Sequence, residues 1–219
     1  RLNGGNHQMT WVIHGAALLV VLLSIMNSNW ALLRQSSLLQ HLSLGGMAVL
    51  SFIWTFSAEL EQGLSIHFLG VTALTLMLGF RRAVVVGAGI VLLNLWVSSY
   101  SLSSISALYL SHIVVPALVT YVAYAIVYHR LPRHPFVYIF VNAFITAASA
   151  IAAAHMAHAT WALSSGYLSW DNIWQNYLVI TPLVMFPEAL LNGMAVTLMV
   201  VYKPEWLKTF SDPVYIDGN

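Results

Sequence analysis

The sequence predicts an all-α fold: a polytopic membrane helical bundle of about seven transmembrane helices, with the N-terminus outside and the C-terminus cytoplasmic. Three observations predict it. Charged residues make up 7% of the 219 and hydrophobic ones 59%, against about 25% charged in an ordinary soluble domain. The chain therefore lacks the polar groups to face water on every side. Mean hydropathy is +0.79, and the apolar residues fall in continuous runs near the ~20 residues that cross a bilayer, not in the roughly ten-residue alternating stretches of a β-barrel. Finally, threading seven runs from an outside N-terminus puts seven of the eight Lys and Arg residues on one side, the bias expected of cytoplasmic loops.

The runs cover residues 11–26, 38–56, 66–78, 83–99, 108–128, 136–157 and 177–202 of one integral membrane domain. No small-residue cleavage site follows the first, so it reads as a span and not as a signal peptide. The second begins beyond Arg34. The third is short and bounded by glycines, which suggests a tilted or partly re-entrant element. Arg81 and Arg82 precede the fourth. The fifth contains Pro116 and ends at Arg130 and Arg133. The sixth is dense in small residues from Ala143 to Ala154, which allow close helix approach. The seventh contains Pro182 and Pro187, each expected to kink it, and stops at Lys203-Pro204, leaving 203–219 as a cytoplasmic tail. The outer side receives Arg1, Glu59, Glu61 and Asp171. Trp11, Trp30, Trp54, Trp96, Trp161, Trp170, Trp174 and Trp206 fall at or near run ends, where an amphipathic ring prefers the interface.

Net charge is +1 and the basic residues form no stripe, which argues against nucleic acid as a partner. The absence of cysteine excludes disulfides, thiolate metal sites and iron–sulfur clusters. No P-loop, nucleophile elbow or zinc-protease helix motif is present, so ATP hydrolysis would have to come from another subunit, and no paired residues support an intramembrane enzyme.

Of nine histidines, this threading places His7, His14, His67, His112, His155 and His158 toward the outer face. Imidazole suits nickel, cobalt, copper and zinc, and an outward group is what capture of such an ion requires. His155 and His158 are three apart on one helix and share a face. The competing reading for each is an amphipathic ring at headgroup depth. Glu188, deep in the seventh run, would cost a few kcal/mol unless it faces the bundle interior. It is either a functional acid or a protonated packing group hydrogen-bonded to a neighbouring helix. Asn142 and Asn94 are read as interhelical hydrogen-bonding residues.

Three stretches carry a family resemblance: Gly63-Leu64-Ser65-Ile66-His67-Phe68-Leu69-Gly70 continuing to Gly79, then residues 135–144, and the tail from Glu188 through Tyr202-Lys203-Pro204-Glu205-Trp206-Leu207-Lys208-Thr209-Phe210. From about Leu38 to Ile216 the chain resembles proteobacterial energy-coupling-factor transporter permeases related to the CbiM-type cobalt/nickel uptake component. The resemblance implies a seven-helix substrate-capture subunit in the inner (cytoplasmic) membrane of a bacterium, working with a transmembrane coupling protein and ATPase subunits. It also implies an ion held by an N-terminal Met-His and a later histidine, for which His67 is the candidate. The chain opens Arg1-Leu2-Asn3 instead, and His7 is the candidate replacement. The metal candidates are therefore His67, His7, His155, His158 and His112, for Ni or Co as substrate, with Cu or Zn as alternatives. The alternative function is a non-transporting accessory subunit that stabilises a larger membrane metalloenzyme or delivers its metal.

Overall fold

A computed structural model describes residues 3–61, 64–97, 104–166 and 168–215, with the side chains of 3–9, 59–61, 64–65, 97, 212 and 214 outside the description. In chain order come α1 (Asn3–Met26), α2 (Trp30–Gln35), α3 (Ser37–Trp54), an antiparallel hairpin of β1 (Ala58–Glu61) and β2 (Leu64–Ile66), α4 (Val71–Leu78) and α5 (Phe80–Val97). Then follow three long helices: α6 (Ile105–Arg130), α7 (Pro135–Ser164) and α8 (Trp170–Tyr202). A 3-10 turn (Pro204–Trp206) and α9 (Asp212–Tyr215) complete the tail.

Helices α3, α6, α7 and α8, of 18, 26, 30 and 33 residues, are long and apolar enough to cross a membrane. At 1.5 Å per residue they reach from about 27 to about 50 Å, against a hydrocarbon core of about 30 Å. The burial pattern is inverted relative to a water-soluble protein. Leu18, Phe52, Val122, Leu183, Phe186 and Leu198 are exposed, while Thr72, Ser111, Asn142, His155, Glu188 and Asn192 are buried. Lipid as the outer solvent explains both halves of that pattern, and the chain is a multi-pass membrane protein. Helix α7 packs against α6 and α8, its buried Ala147, Ala150 and Ala154 letting the backbones close in.

The third apolar run departs from a plain helix. Only Val71–Leu78 is helical, about 12 Å of rise, and residues 67–70 have no regular structure. Gly70 closes the break at the N-cap of α4: its φ of 65° is left-handed, and a Cβ there would run into the Leu50 side chain. Gly79, with φ 78°, ends the short helix. Although short, α4 lies at the centre, in contact with α3, α5, α6, α7 and α8.

Three sequence expectations are corrected. Trp54 is not an interface residue; it is 3% exposed and donates its indole N–H to the Leu69 carbonyl at 3.2 Å. Asn142 is fully buried, but its side chain bridges to no neighbouring helix, and the Asn94 amide bonds within its own helix, to the Ile90 carbonyl at 3.0 Å. Interhelical bonding falls instead to pairs such as Thr72–Thr120, 3.0 Å apart between α4 and α6. Pro116 and Pro182 lie inside α6 and α8, as the runs predict, each just after a π-helical stretch at Leu110–Val114 or Trp174–Leu178, and Pro187 follows further along α8. A proline cannot bond to the carbonyl four residues back, and the widened turn upstream absorbs that loss.

Candidate metal centre

The non-helical stretch 67–70 needs partners for its backbone, because lipid-depth backbone outside a helix survives only when buried in protein. Glu188 and Asn192 on α8, four residues apart and hence on one face, provide them. The Glu188 carboxylate accepts the Leu69 N–H on Oε2 at 2.9 Å and the Gly70 N–H on Oε1 at 2.9 Å. Asn192 donates its amide to Glu188 Oε1 at 2.8 Å and accepts the Ala73 N–H at 2.9 Å. The groups around this acid are donors, and three of the bonds satisfy N–H groups at and before the start of α4. These bonds make Glu188 a latch on a broken helix. The far end of α4 is held as well, with the Leu76 carbonyl accepting the Thr209 hydroxyl at 2.8 Å and the Met77 carbonyl accepting the Lys208 N–H at 3.1 Å.

The latched stretch begins at His67, and there four histidines meet. The His67 and His112 rings lie 5.3 Å apart and nearly parallel, at 18°. His112 is 4.8 Å from His158 and 6.3 Å from His155. All four are at most 4% exposed. Trp54 covers His67 at 4.4 Å, and Tyr177 lies against His155 at 4.8 Å. The π turn Leu110–Val114 carries His112 and Ser111, both buried, and the three-residue spacing aims His155 and His158 inward together.

Hydroxyls tether the imidazoles. The Ser111 hydroxyl donates to the Ala107 carbonyl at 2.6 Å and lies 2.8 Å from His112 Nδ1 and 3.0 Å from His158 Nδ1. Thr181 Oγ1 lies 2.9 Å from His155 Nδ1 and 3.3 Å from the Tyr177 carbonyl. Where the hydroxyl oxygen accepts, the ring carries its proton on Nδ1 and its lone pair on Nε2, the tautomer that an outer hydrogen bond fixes in metal-bound histidines. The Nε2 atoms of His112 and His155, and both nitrogens of His67, are buried without a hydrogen-bond partner. Such atoms cost about 1–3 kcal/mol each. A soft-to-borderline divalent ion is the ligand this donor set suits. Among the described residues, however, no group of three or more His, Cys, Asp or Glu side chains meets the geometry of a closed metal site.

His67, His112, His155 and His158 are thus brought together. The side chain of His7 lies outside the described residues. His14 stands apart, half-buried and bonded to Ser106 at 2.6 Å. Asn142 and Glu188 are buried elsewhere, the latter as the latch. Sequence reasoning missed Ser111 and Thr181. A hydroxyl directly beside His112 was the signal available for the first, and nothing marked the second.

The chain is thus a lipid-facing bundle with a broken central helix and a knot of buried imidazoles at one end. The family model described as the CbiM cobalt uptake substrate-specific transmembrane region matches residues 6–206, and the chain belongs to that family, a transporter component. The match takes in the first helix, which the sequence resemblance had left out. Two solved structures share the fold, a transition metal transporter (TM-score 0.67, 16% identity, 92% of each chain covered) and a truncated transition metal transporter (TM-score 0.67, 16% identity, 91% of this chain and 97% of that one). No curated protein matches the sequence.

Proposed function

We propose that the chain is the substrate-capture component of a bacterial inner-membrane uptake system for nickel or cobalt, with seven crossings and an outside N-terminus. The single observation that carries this reading is the group of ring nitrogens on His67, His112 and His155, buried without hydrogen-bond partners beside a broken helix. The histidines gather where α3 and α7 end and α6 and α8 begin. Arg34, Arg81, Arg82, Arg130, Arg133 and Lys203 belong to the opposite helix ends, so the positive-inside bias turns the histidines outward. His67 is the leading ligand, joined by His112, His155 and His158 once rotation breaks the stack, and His7 on α1 is a further donor. Energy for uptake comes from partner ATPases and a coupling protein, since the chain has no nucleotide motif.

The test is calorimetric titration of the purified protein with Ni²⁺, Co²⁺, Cu²⁺ and Zn²⁺. Binding by the wild type that His67→Ala abolishes supports the proposal, and an unchanged isotherm in the variant sinks it. The stacked rings favour one second reading: an accessory subunit that keeps the fold without an ion of its own. Gentle solubilisation and mass spectrometry of the intact complex separate the two. ATPase partners point to uptake, and a stoichiometric metalloenzyme points to the accessory role.

A further inference from the structure

The basic end of the bundle contains a cleft of about 660 Å³ lined by Arg81, Arg82 and Lys208 together with Asn27, Ser28 and Thr209. No carboxylate lines it among the described residues. The cations are held close to one another. Lys208 Nζ would lie 3.0 Å from a Cβ built on Gly79, next to Arg81 and Arg82 in sequence. Arg81 is fixed over the cleft by donating to the Asn27 carbonyl at 2.9 Å. Burial and the charges of Arg82 and Arg81 hold the Lys208 ammonium below the usual lysine range. All three stand where α5 begins, an end at which positive charge is disfavoured. Lys203, by contrast, has a carboxylate 3.5 Å away in Glu205.

A second cleft of about 430 Å³ adjoins the first, sharing Ser28, Asn29 and Arg82, and it is mostly apolar, with Trp30, Leu33, Leu44 and Met47 in its wall. Polar donors and three cations thus open onto an oily groove. That is the shape of a phosphodiester headgroup with an acyl chain beside it.

We propose that Arg81, Arg82 and Lys208 form a site for a phosphate-bearing anion, the headgroup of an anionic phospholipid, whose chain lies along the Trp30–Met47 groove. The site is independent of the histidine cluster and of any bound metal. It belongs to the class of basic pockets between membrane helices that hold anionic headgroups. The docked tail is part of it, because Lys208 reaches the cleft only while Leu207 and Phe210 stay buried against the bundle.

The experiment uses the full chain, delipidated and titrated with phosphatidylglycerol, phosphatidylcholine or inorganic pyrophosphate, and read by native mass spectrometry. Phosphatidylglycerol should bind more tightly than phosphatidylcholine. Replacing the cations by glutamine should weaken it about fivefold per charge, or about a hundredfold for Arg81→Gln/Arg82→Gln/Lys208→Gln together. Arg81→Lys/Arg82→Lys should keep binding, which separates loss of charge from loss of fold, and Arg130→Gln/Arg133→Gln should change nothing. Charge-dependent binding of pyrophosphate with no preference for the anionic lipid would keep the anion site and assign it to a soluble phosphate compound. Neither ligand binding, or a triple glutamine variant that binds as the wild type does, overturns the proposal.

Discussion

Two buried polar clusters meet at the non-helical stretch 67–70, and they are built on opposite terms. Around Glu188 the polar atoms are matched: a carboxylate and an amide serve three backbone N–H groups and each other at 2.8–2.9 Å. Around His67 the matching is one-sided: each outer nitrogen of His112, His155 and His158 has a hydroxyl, while Nε2 of His112 and His155 and the whole edge of His67 have none. A saturated network stabilises and specifies the fold. An unsaturated one costs stability.

The largest expected effect breaks the saturated side. Glu188→Ala leaves the Leu69 and Gly70 N–H groups buried without an acceptor, while the Asn192 amide keeps only the backbone carbonyl of residue 188. At about 1–3 kcal/mol for each of the two orphaned groups, destabilisation of roughly 2–6 kcal/mol should follow. Thermal unfolding in detergent should register it as a large drop in midpoint; a midpoint close to wild type would remove the latch from the account. Gly70→Ala should come next. It forces an L-residue into the left-handed region, about 1–3 kcal/mol, and drives a methyl into Leu50. Unfolding of this variant should begin well below the wild type, with Glu188 intact.

How much of this was legible in the sequence divides along the same line. Continuous apolar runs marked the helices, and the depth of Glu188 marked it as costly, but its partners are main-chain N–H groups 118 and 119 residues away. No side-chain pattern announces an unsatisfied backbone. The short, glycine-bounded third run pointed to a tilted or partly re-entrant element, but residues 66–78 read as one apolar run, so the place of the break at 67–70 was not legible. The β1–β2 hairpin escaped because strands of four and three residues carry almost no periodicity. The four histidines were legible only within the six that the threading placed toward the outer face, because spacing and charge bias are properties of the chain alone. Their tethers were not, since a helical serine or threonine reads the same whether it back-bonds to a carbonyl or also positions a ring.

Ser111→Ala sharpens the comparison at intermediate size. It removes the one oxygen bonded to both His112 Nδ1 and His158 Nδ1, so each of the two rings loses an outer anchor. If the cluster binds an ion, affinity should fall about 10–100-fold, the usual cost of losing an outer partner of a ligating histidine, with a destabilisation of about 1–3 kcal/mol from the orphaned nitrogens. Titration calorimetry and thermal unfolding on the same preparation separate the two effects. Equal metal affinity in Ser111→Ala and wild type would mean that the tethers serve packing alone.

The smallest expected effect on stability is the most discriminating. His67→Leu keeps an apolar group of similar bulk beneath Trp54 and deletes two buried nitrogens that bond to nothing. Replacing an unpaired polar group by an apolar one of like shape is close to neutral or stabilising, so without added metal the unfolding midpoint should stay within about 1 kcal/mol of wild type or rise. The same variant should lose metal binding. A several-kcal/mol loss, comparable to Glu188→Ala, would instead make His67 a strut like its neighbours at the latch. The distinction between a saturated scaffold and an open donor set would then collapse at the one residue that joins them.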